Sequence, residues 1–460
     1  MFSKILIANR GEIAVRILRA CRELGIKTVA VYSEADRESM HLRLADEAVC
    51  IGPYQTRESY LDQERILSAA KITGAQAIHP GYGFLAENGA FAKLCRDRGV
   101  AFIGPTPEAI SALGHKIAAK KLAEKAGVPV VPGAIGEPKA LLKASARVGF
   151  PVMVKAASGG GGKGLRLVRD PKLLASELEK AGAESLAAFG DKTLYLEKCI
   201  EHPRHVEIQI CADTRGAVAA MVERDCTVQR RHQKLIEESP SPAVTPELRR
   251  RMQEAAIRLA KACRYSNVGT VEFLLDTDGS FYFMEVNTRL QVEHPVTETV
   301  TGLDLVVEQI RLAAGEPLSF SQARASEIRA HSIEHRINAE DPDCGFAPRP
   351  GRIESLELPG GPGVRIETHL YQGYTVPPTY DSLIAKLVVG APDRTAAIAR
   401  ARRALGEFKV EGVPTTIPFH LRVLGDKRFA DGEFDTHFAV HLLEEGAAAK
   451  PAKVPAGARA

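Results

Sequence analysis

The segment Glu285-Val-Asn287-Thr-Arg289-Leu-Gln291-Val-Glu293-His294 sets an acid, an amide, a base, an amide and an acid on alternate positions. In an extended chain a period of two puts all five on one face. Glu285 and Asn287 offer hard oxygen donors of the kind Mg²⁺ takes together with nucleotide phosphates, and Arg289 offers a fork for a planar anion. Fully extended, residues 285 to 293 would span about 26 Å, too long for one site. The chain is therefore expected to bend after about Asn287, with the metal site first and the anion site next. Upstream, Asp278-Gly279 between two apolar runs is a hairpin signal, and if those two residues are the whole turn, Glu272 faces Glu285. A solvated sheet face with the same charges is the bland alternative.

Pro151-Val-Met-Val-Lys155-Ala-Ala-Ser158 leads into glycines 159 to 162 and then Lys163-Gly164. Glycines 159, 161 and 164 formally match Gly-x-Gly-x-x-Gly, but Leu165-Arg-Leu-Val168 alternates like a strand and does not open a helix. The unit reads as a hairpin with a flexible tip and not as a dinucleotide turn. Gly164 follows Lys163 where a Walker A loop needs Ser or Thr. Backbone N–H groups free of Cβ neighbours can approach phosphate oxygens, with Lys155 and Lys163 adding positive charge; a merely mobile loop is the alternative. Arg230, Arg231 and Lys234 form a local basic excess within Glu223–Lys234, equally a nucleotide grip or a solvated face. Ala77–Asn88 is turn-rich behind a strand, where loops commonly hold ligands. Arg336 stands in the acidic stretch from Glu334 to Pro342, readable also as a structural ion pair.

The elements that must position these groups follow from periodicity. Lys4–Ala8 is a short apolar run, Asn9-Arg10-Gly11 a turn, and 12–24 a helix closed by Gly25, with the next strand at 27–32. This βαβ unit predicts a small doubly wound, Rossmann-like sheet over the first hundred residues, though with one glycine in its first turn it lacks a dinucleotide fingerprint. Gly104-Pro-Thr-Pro107 marks a boundary, followed by a charged helix from about 108 to 125. From about 150 to 290, short alternating runs joined by Gly and Asp turns predict antiparallel sheet. Helices return after 297, and Pro359–Gly363 separates two strand-like runs.

At 460 residues the chain is long enough for about three domains. Hydrophobic residues at 45%, charged residues at 26% and a mean hydropathy of −0.11 exclude a disordered chain and a membrane protein. A formal net charge of +4 is too small to argue for nucleic acid as the partner. The eight cysteines lack zinc or dithiol spacing and read as reduced thiols, and no secretory signal precedes Lys4, so a cytoplasmic protein is expected.

Seven ordered strings resemble the biotin carboxylases of the ATP-grasp superfamily from Lys4 to about residue 440. They are Ile7-Ala-Asn-Arg-Gly-Glu-Ile13, His79-Pro-Gly-Tyr-Gly-Phe-Leu85, Pro203-Arg-His-Val-Glu-Ile-Gln209, Glu223-Arg-Asp-Cys226, Gln229-Arg-Arg-His-Gln-Lys234, Glu285-x-Asn-x-Arg-x-Gln-Val-Glu-His-Pro295 and Arg336-Ile-Asn-Ala-Glu-Asp341. The resemblance implies an N-terminal Rossmann-like domain at 1–114, an ATP-grasp domain at 115–330 with a mobile glycine-rich lid at about 133–203, and a C-terminal antiparallel-sheet domain at 331–443. A disordered Ala/Pro-rich tail is expected at 444–460.

The implied activity is carboxylation, from ATP and bicarbonate through carboxyphosphate, of the biotin on a separate biotin carboxyl carrier protein. It is the first half-reaction of an acetyl-CoA carboxylase, with a propionyl/acyl-CoA or pyruvate carboxylase as the alternative. The resemblance assigns ATP to Lys116, Lys155, Gly161, Gly162, Glu197, Lys198, Cys199, Ile200, His205, Gln229 and His232, and Mg²⁺ or Mn²⁺ to Glu272, Glu285 and Asn287. Bicarbonate falls to Lys234, Arg289, Gln291 and Val292, its proton to Glu293, and biotin to Tyr82, Gly83 and Arg336. A homodimer and carboxyltransferase subunits are the expected partners, with no nucleic acid and no membrane. No Met-Lys-Met acceptor motif is present, so the carrier is expected in trans unless the tail begins a linker to one. The family loop often carries five glycines and Arg-Gly where this chain has four and Lys163-Gly164, which implies a slightly stiffer lid.

Overall fold

The structure is a computed structural model that describes residues 1–156, 166–189 and 192–448. The glycine run, with Gly161, Gly162 and Lys163, lies outside the described residues, as do 449–460. The chain divides into two compact units: Met1–Val128 with Arg204–Leu274 and Met284–Ala460, and Pro129–Pro203 with Leu275–Phe283.

The larger unit opens with the expected doubly wound sheet. Its five parallel strands lie in the spatial order Glu47–Gly52, Lys27–Ser33, Lys4–Ile7, Ala77–His79, Ala101–Phe102. The first helix, Gly11–Glu23, buries Ile13, Ala14, Ile17, Leu18 and Cys21, and Gly25 closes it in the left-handed region at φ +70°. The first strand pairs with the second on one side and the fourth on the other. Strand order reverses there, so a crevice opens at the carboxyl ends of Lys4–Ile7 and Ala77–His79, where open α/β sheets bind ligands. The single helix expected at 108–125 is two, Pro107–Gly114 and Lys116–Lys125, because His115 takes an extended conformation and caps both.

A second, long sheet runs in the order Phe281–Asn287, Asn267–Leu275, Arg204–Ala212, Arg224–Arg230, Gln233–Ser239, His331–Asn338, Leu383–Ala391, Val364–Thr368, with Val218–Ala220 beside Arg204–Ala212. Ile236 pairs with His335 and Glu237 with Glu334, so the strands of the C-terminal segment extend the sheet begun by residues 204–287. The antiparallel reading of 150–290 needs one correction. Two long helices interrupt it, Leu174–Phe189 and Pro246–Ala262, the latter burying Leu248, Met252, Ala255, Ala256 and Leu259 at helical spacing. The strand that ends at Asn287 gives way to a short loop and a helix at His294–Thr301, which is the bend the length of the polar row required. The last helix, Phe438–Ala448, reaches into the segment expected to be tail.

The smaller unit is a four-stranded antiparallel sheet in the order Gly133–Gly136, Leu194–Lys198, Val152–Ala156, Arg166–Val168. Val152 pairs with Val168 and Val154 with Arg166, so the strands flanking the glycine segment form the hairpin that alternation predicted. Leu141, Val148, Val152, Val154, Leu178, Leu194 and Leu196 make its core. The turn at 276–280 is longer than two residues: Asp276 N donates to Ser280 O at 2.8 Å, enclosing three residues, with Gly279 at φ +79°. That extra residue removes the basis for setting Glu272 opposite Glu285. Among the described residues no helix is long and apolar enough to cross a membrane.

Candidate active site

The crevice at the reversal of strand order is built by two of the strings noted in the sequence, seventy residues apart. Asn9, just beyond the first strand, donates from Nδ2 to the carbonyls of Pro80 and Tyr82 at 2.7 Å each. His79 Nδ1 accepts from Gly81 N at 3.1 Å. Gly81 holds φ +62°, and a Cβ there would lie 3.0 Å from Asn9 Nδ2 and 3.1 Å from Ile13 Cγ1, so the turn that carries Tyr82 and Gly83 requires glycine. Above it is a cavity of about 490 Å³ lined by Tyr82, Gly83, Lys234, Arg289, Val292 and Arg336, among others. All four catalytic candidates converge at this place, Glu293 through its ion pairs with Lys234 and Arg336 beneath the lining.

Lys234 is the hub. Its Nζ donates to Glu207 Oε2 and Glu272 Oε1 at 2.8 Å and to Glu293 Oε1 at 2.7 Å, with 12% of the side chain exposed. Three strands far apart in sequence supply the cation and its first two acceptors, and Glu293 caps the helix that follows the bend. Arg336 donates from Nε to Glu237 Oε1 at 2.6 Å and from a terminal nitrogen to Glu293 Oε2 at 2.8 Å. The fully buried Arg224 closes the network on Glu207, Gln209 Oε1 at 2.7 Å, Thr297 Oγ1 at 2.9 Å and Thr270 Oγ1 at 3.0 Å. Burial alone would push the Glu293 carboxyl up, but Lys234, Arg336 and Arg224 hold it well below the usual carboxylate range. Glu272 is lowered in the same way, chiefly by Lys234 against burial. Glu207 and Glu237 go the other way, because burial outweighs their cations, and Glu237 rises to about 7.

Arg289 lies on the same wall. Its Nε donates to Glu87 Oε2 at 2.9 Å and its terminal nitrogens to Gln291 Oε1 at 3.0 Å and Asn287 Oδ1 at 3.2 Å, while Glu87 Oε1 accepts from Thr288 N at 3.1 Å. Asn287 and Gln291 donate back to Glu272 Oε1 at 2.9 and 3.2 Å. Of the expected metal donors, Glu272 and Asn287 therefore touch. Glu285 stands apart, its carboxylate 42% exposed and 4.0 Å from Lys116. Two carboxylates and a carboxamide oxygen suit a hard divalent cation. A second cluster, His205 Nε2 with Glu272 Oε2 at 3.2 Å and a Glu207 oxygen, already has Lys234 and Arg224 to balance it.

The remaining expected nucleotide contacts fall in both units. Lys116 is 86% exposed. Gln229 is buried and pairs across the ladder with Lys234, and His232 sits exposed at the tip of that hairpin, with Arg231 and His232 both in the left-handed region as a tight two-residue turn demands. In the smaller unit Lys155 Nζ bonds Glu197 Oε2 at 3.0 Å over the Tyr195 ring, and Lys198 Nζ reaches Tyr282 Oη at 3.5 Å. Backbone bonds from Lys198 N to Pro132 O and from Cys199 N to Pro151 O, both 2.8 Å, fix the strand end that leads to Ile200. Sequence reasoning assigned no role to Glu87, Arg224 or Glu237. Arg224 and Glu237 each occupy a buried strand position where an apolar residue would otherwise be expected, a signal that was available.

Comparison with known proteins identifies the family. Family models match the chain as the biotin carboxylase N-terminal domain over residues 1–110, the carbamoyl-phosphate synthase L chain ATP binding domain over 115–321 and the biotin carboxylase C-terminal domain over 334–441. A biotin carboxylase of Nostoc sp. is 55% identical over 444 residues, 96% of this chain and 99% of its own. A pyruvate carboxylase subunit of Methanothermobacter thermautotrophicus is 53% identical, over 95% of this chain and 89% of its own. Among solved structures, the biotin carboxylase domain of a thermophilic 2-oxoglutarate carboxylase bound to ADP superposes with a TM-score of 0.92 at 48% identity, covering 96% of this chain and 99% of that one. The fold is that of the ATP-grasp class of ligases. Within that class, the chain belongs to the biotin carboxylases.

Proposed function

We propose that this biotin carboxylase uses ATP and bicarbonate to carboxylate biotin presented by a separate carrier protein, as the first half-reaction of an acetyl-CoA carboxylase. The observation that carries the reading is the cavity that gathers Lys234, Arg289, Val292 and Arg336 with Tyr82 and Gly83. Lys234 and Arg289 give bicarbonate two cations, with Gln291 and Val292 beside them. Glu293 takes the bicarbonate proton: as it stands Lys234 holds it ionised, and an arriving anion that draws on Lys234 raises its basicity. The freed oxygen attacks the γ-phosphorus, ADP departs, and carboxyphosphate forms. Its breakdown to CO₂ and phosphate lets the biotin ureido nitrogen take up the CO₂ as its N–H proton passes to the released phosphate, while Arg336 stabilises the negative ureido oxygen as a fixed cation.

ATP falls to Lys116, Lys155, Gly161, Gly162, Glu197, Lys198, Cys199, Ile200, His205, Gln229 and His232. Glu272, Glu285 and Asn287 are the donors for Mg²⁺ or Mn²⁺, which supplies charge neutralisation on the phosphates when bound. The carrier protein, carboxyltransferase subunits and a second copy of the chain complete the assembly, in the cytoplasm. A propionyl/acyl-CoA or pyruvate carboxylase is the second reading, and the similarity to the Methanothermobacter pyruvate carboxylase subunit favours its pyruvate form. Phosphate release with ATP, Mg²⁺ and bicarbonate, with and without free biotin, tests the activity, and lack of biotin stimulation would refute it. The carrier and transferase that co-purify with the chain decide the acceptor.

A further inference from the structure

Beneath Arg336 lies a pair of carboxyl groups that the reaction as derived does not use. Glu237 and Glu334 are direct partners across the antiparallel ladder, a relation that sets side chains about 5 Å apart on one face of the sheet. Both are fully buried. Neither oxygen of Glu334, nor Oε2 of Glu237, has a hydrogen-bond partner among the described residues. Only Glu237 Oε1 is engaged, by Arg336 Nε.

The charged groups around the pair are few and mostly committed. Arg336 holds Glu237 and Glu293, and Lys234 is spread over Glu207, Glu272 and Glu293. Lys386, the ladder partner of Arg336, lies 3.2 Å from Glu12 and donates to Val292 O at 2.9 Å. On the next strand Glu367 pairs with Lys386, and Arg365 is taken by Glu298 and Glu367. Among the described residues no hydrogen bond reaches either oxygen of Glu334. Two buried carboxylates face to face with nothing between them do not both stay ionised.

We propose that Glu237 and Glu334 share one proton, with Glu334 donating to the open Oε2 of Glu237, and that this acid–carboxylate pair is the positioning device for Arg336. While Glu334 carries the proton, Glu237 is anionic and grips the guanidinium, yet the pair presents only one negative charge. Burial pushes both groups up, Glu237 to about 7 and Glu334 well above the usual carboxylate range, against the pull of Arg336 and Lys386. Loss of the shared proton at alkaline pH doubles the charge beneath Arg336 and draws it from its substrate. Gain of a second proton at acid pH releases its Nε anchor. The role of Arg336 rests on the function proposed above, whereas the protonation does not.

Infrared spectroscopy of the intact enzyme without substrates reads the protonation directly. The carboxylic-acid carbonyl band of a buried, hydrogen-bonded acid is expected at neutral pH and is lost in Glu334→Gln. Glu237→Gln is expected to shift it, since the acid loses a charged acceptor, and this variant carries the test if the first does not fold. A band unaltered in both variants, or absent from the unsubstituted enzyme, overturns the proposal whatever the enzyme's substrates prove to be. In kinetics, Glu237→Gln should lower biotin-dependent turnover about tenfold, the scale of one charge-assisted hydrogen bond, with KM for ATP unchanged. Glu334→Gln, which keeps a donor that cannot dissociate, should lose the alkaline fall in the pH profile; an unchanged profile counts against the pair as a positioning device.

Discussion

Replacing Lys234 with Met removes a charge while keeping most of the side chain's volume. Glu207, Glu272 and Glu293 then converge without the ammonium that stands 2.7–2.8 Å from each. Arg224 remains on Glu207 and Arg336 on Glu293, so Glu272 is worst served, left with His205 and two amides. Breaking a buried ion pair by removing one partner costs about 3–5 kcal/mol. At about 2.1 cal/mol/K of unfolding entropy per residue, over 460 residues, the melting midpoint should fall by about 3–5 °C near neutral pH. The pH dependence has a definite sign. Burial raises Glu272 and Glu293, but Lys234, joined by His205 at the first and by Arg336 and Arg224 at the second, holds both below the ordinary range. Groups so depressed contribute stability above their unfolded pKa of about 4.3 and lose it as pH falls. The difference between the two proteins should therefore be full at pH 6–8 and shrink as pH falls below about 4 toward the depressed folded values. Thermal unfolding followed by circular dichroism across that range measures it. A midpoint difference that is the same at pH 3 and pH 7, or no difference at all, would refute the account of Lys234 as the neutralising centre.

Three further outcomes follow from the same geometry. Arg336→Ala should keep ATP binding, read by calorimetry, while losing most biotin carboxylation; equal activity would remove that residue from the reaction. Glu87→Ala frees Arg289 from its orienting carboxylate and should raise KM for bicarbonate about two- to fivefold, as for an ion pair in partial contact with solvent, with KM for ATP unchanged. Gly81→Ala forces a side chain into the left-handed region against Asn9 and Ile13, and should cost about 1–3 kcal/mol in denaturant unfolding.

Local pattern was enough for much of this. Alternation located the strands around the glycine segment and the polar row from Glu285, and the extended length of that row required the bend that the chain makes at Asn287. Pattern failed where a single residue of turn length mattered. Asp278-Gly279 reads as a complete two-residue turn, but the left-handed Gly279 closes a three-residue one, and Glu272 meets Asn287 in place of Glu285. It failed again where partners are distant, since nothing in the period of Gln233–Ser239 says that His331–Asn338 lies beside it. The helix expected from 108 to 125 breaks at His115, where the backbone turns extended directly after Gly114, a poor helix former. The ionic centre was legible as residue types only. Which carboxylate serves which cation is decided by the ladder.

The long sheet carries a practical warning for dissection of the chain. Cutting anywhere between residues 287 and 331 to express the parts separately would unzip the ladder from Ile236–His335 to Ser239–Ser332. Two interior strands would become free borders with unpaired N–H and C=O groups, a template for aggregation. The same seam joins Glu237 to the strand of Arg336 through backbone bonds, so any fragment that solves the solubility problem loses the alignment of the two halves of the catalytic wall.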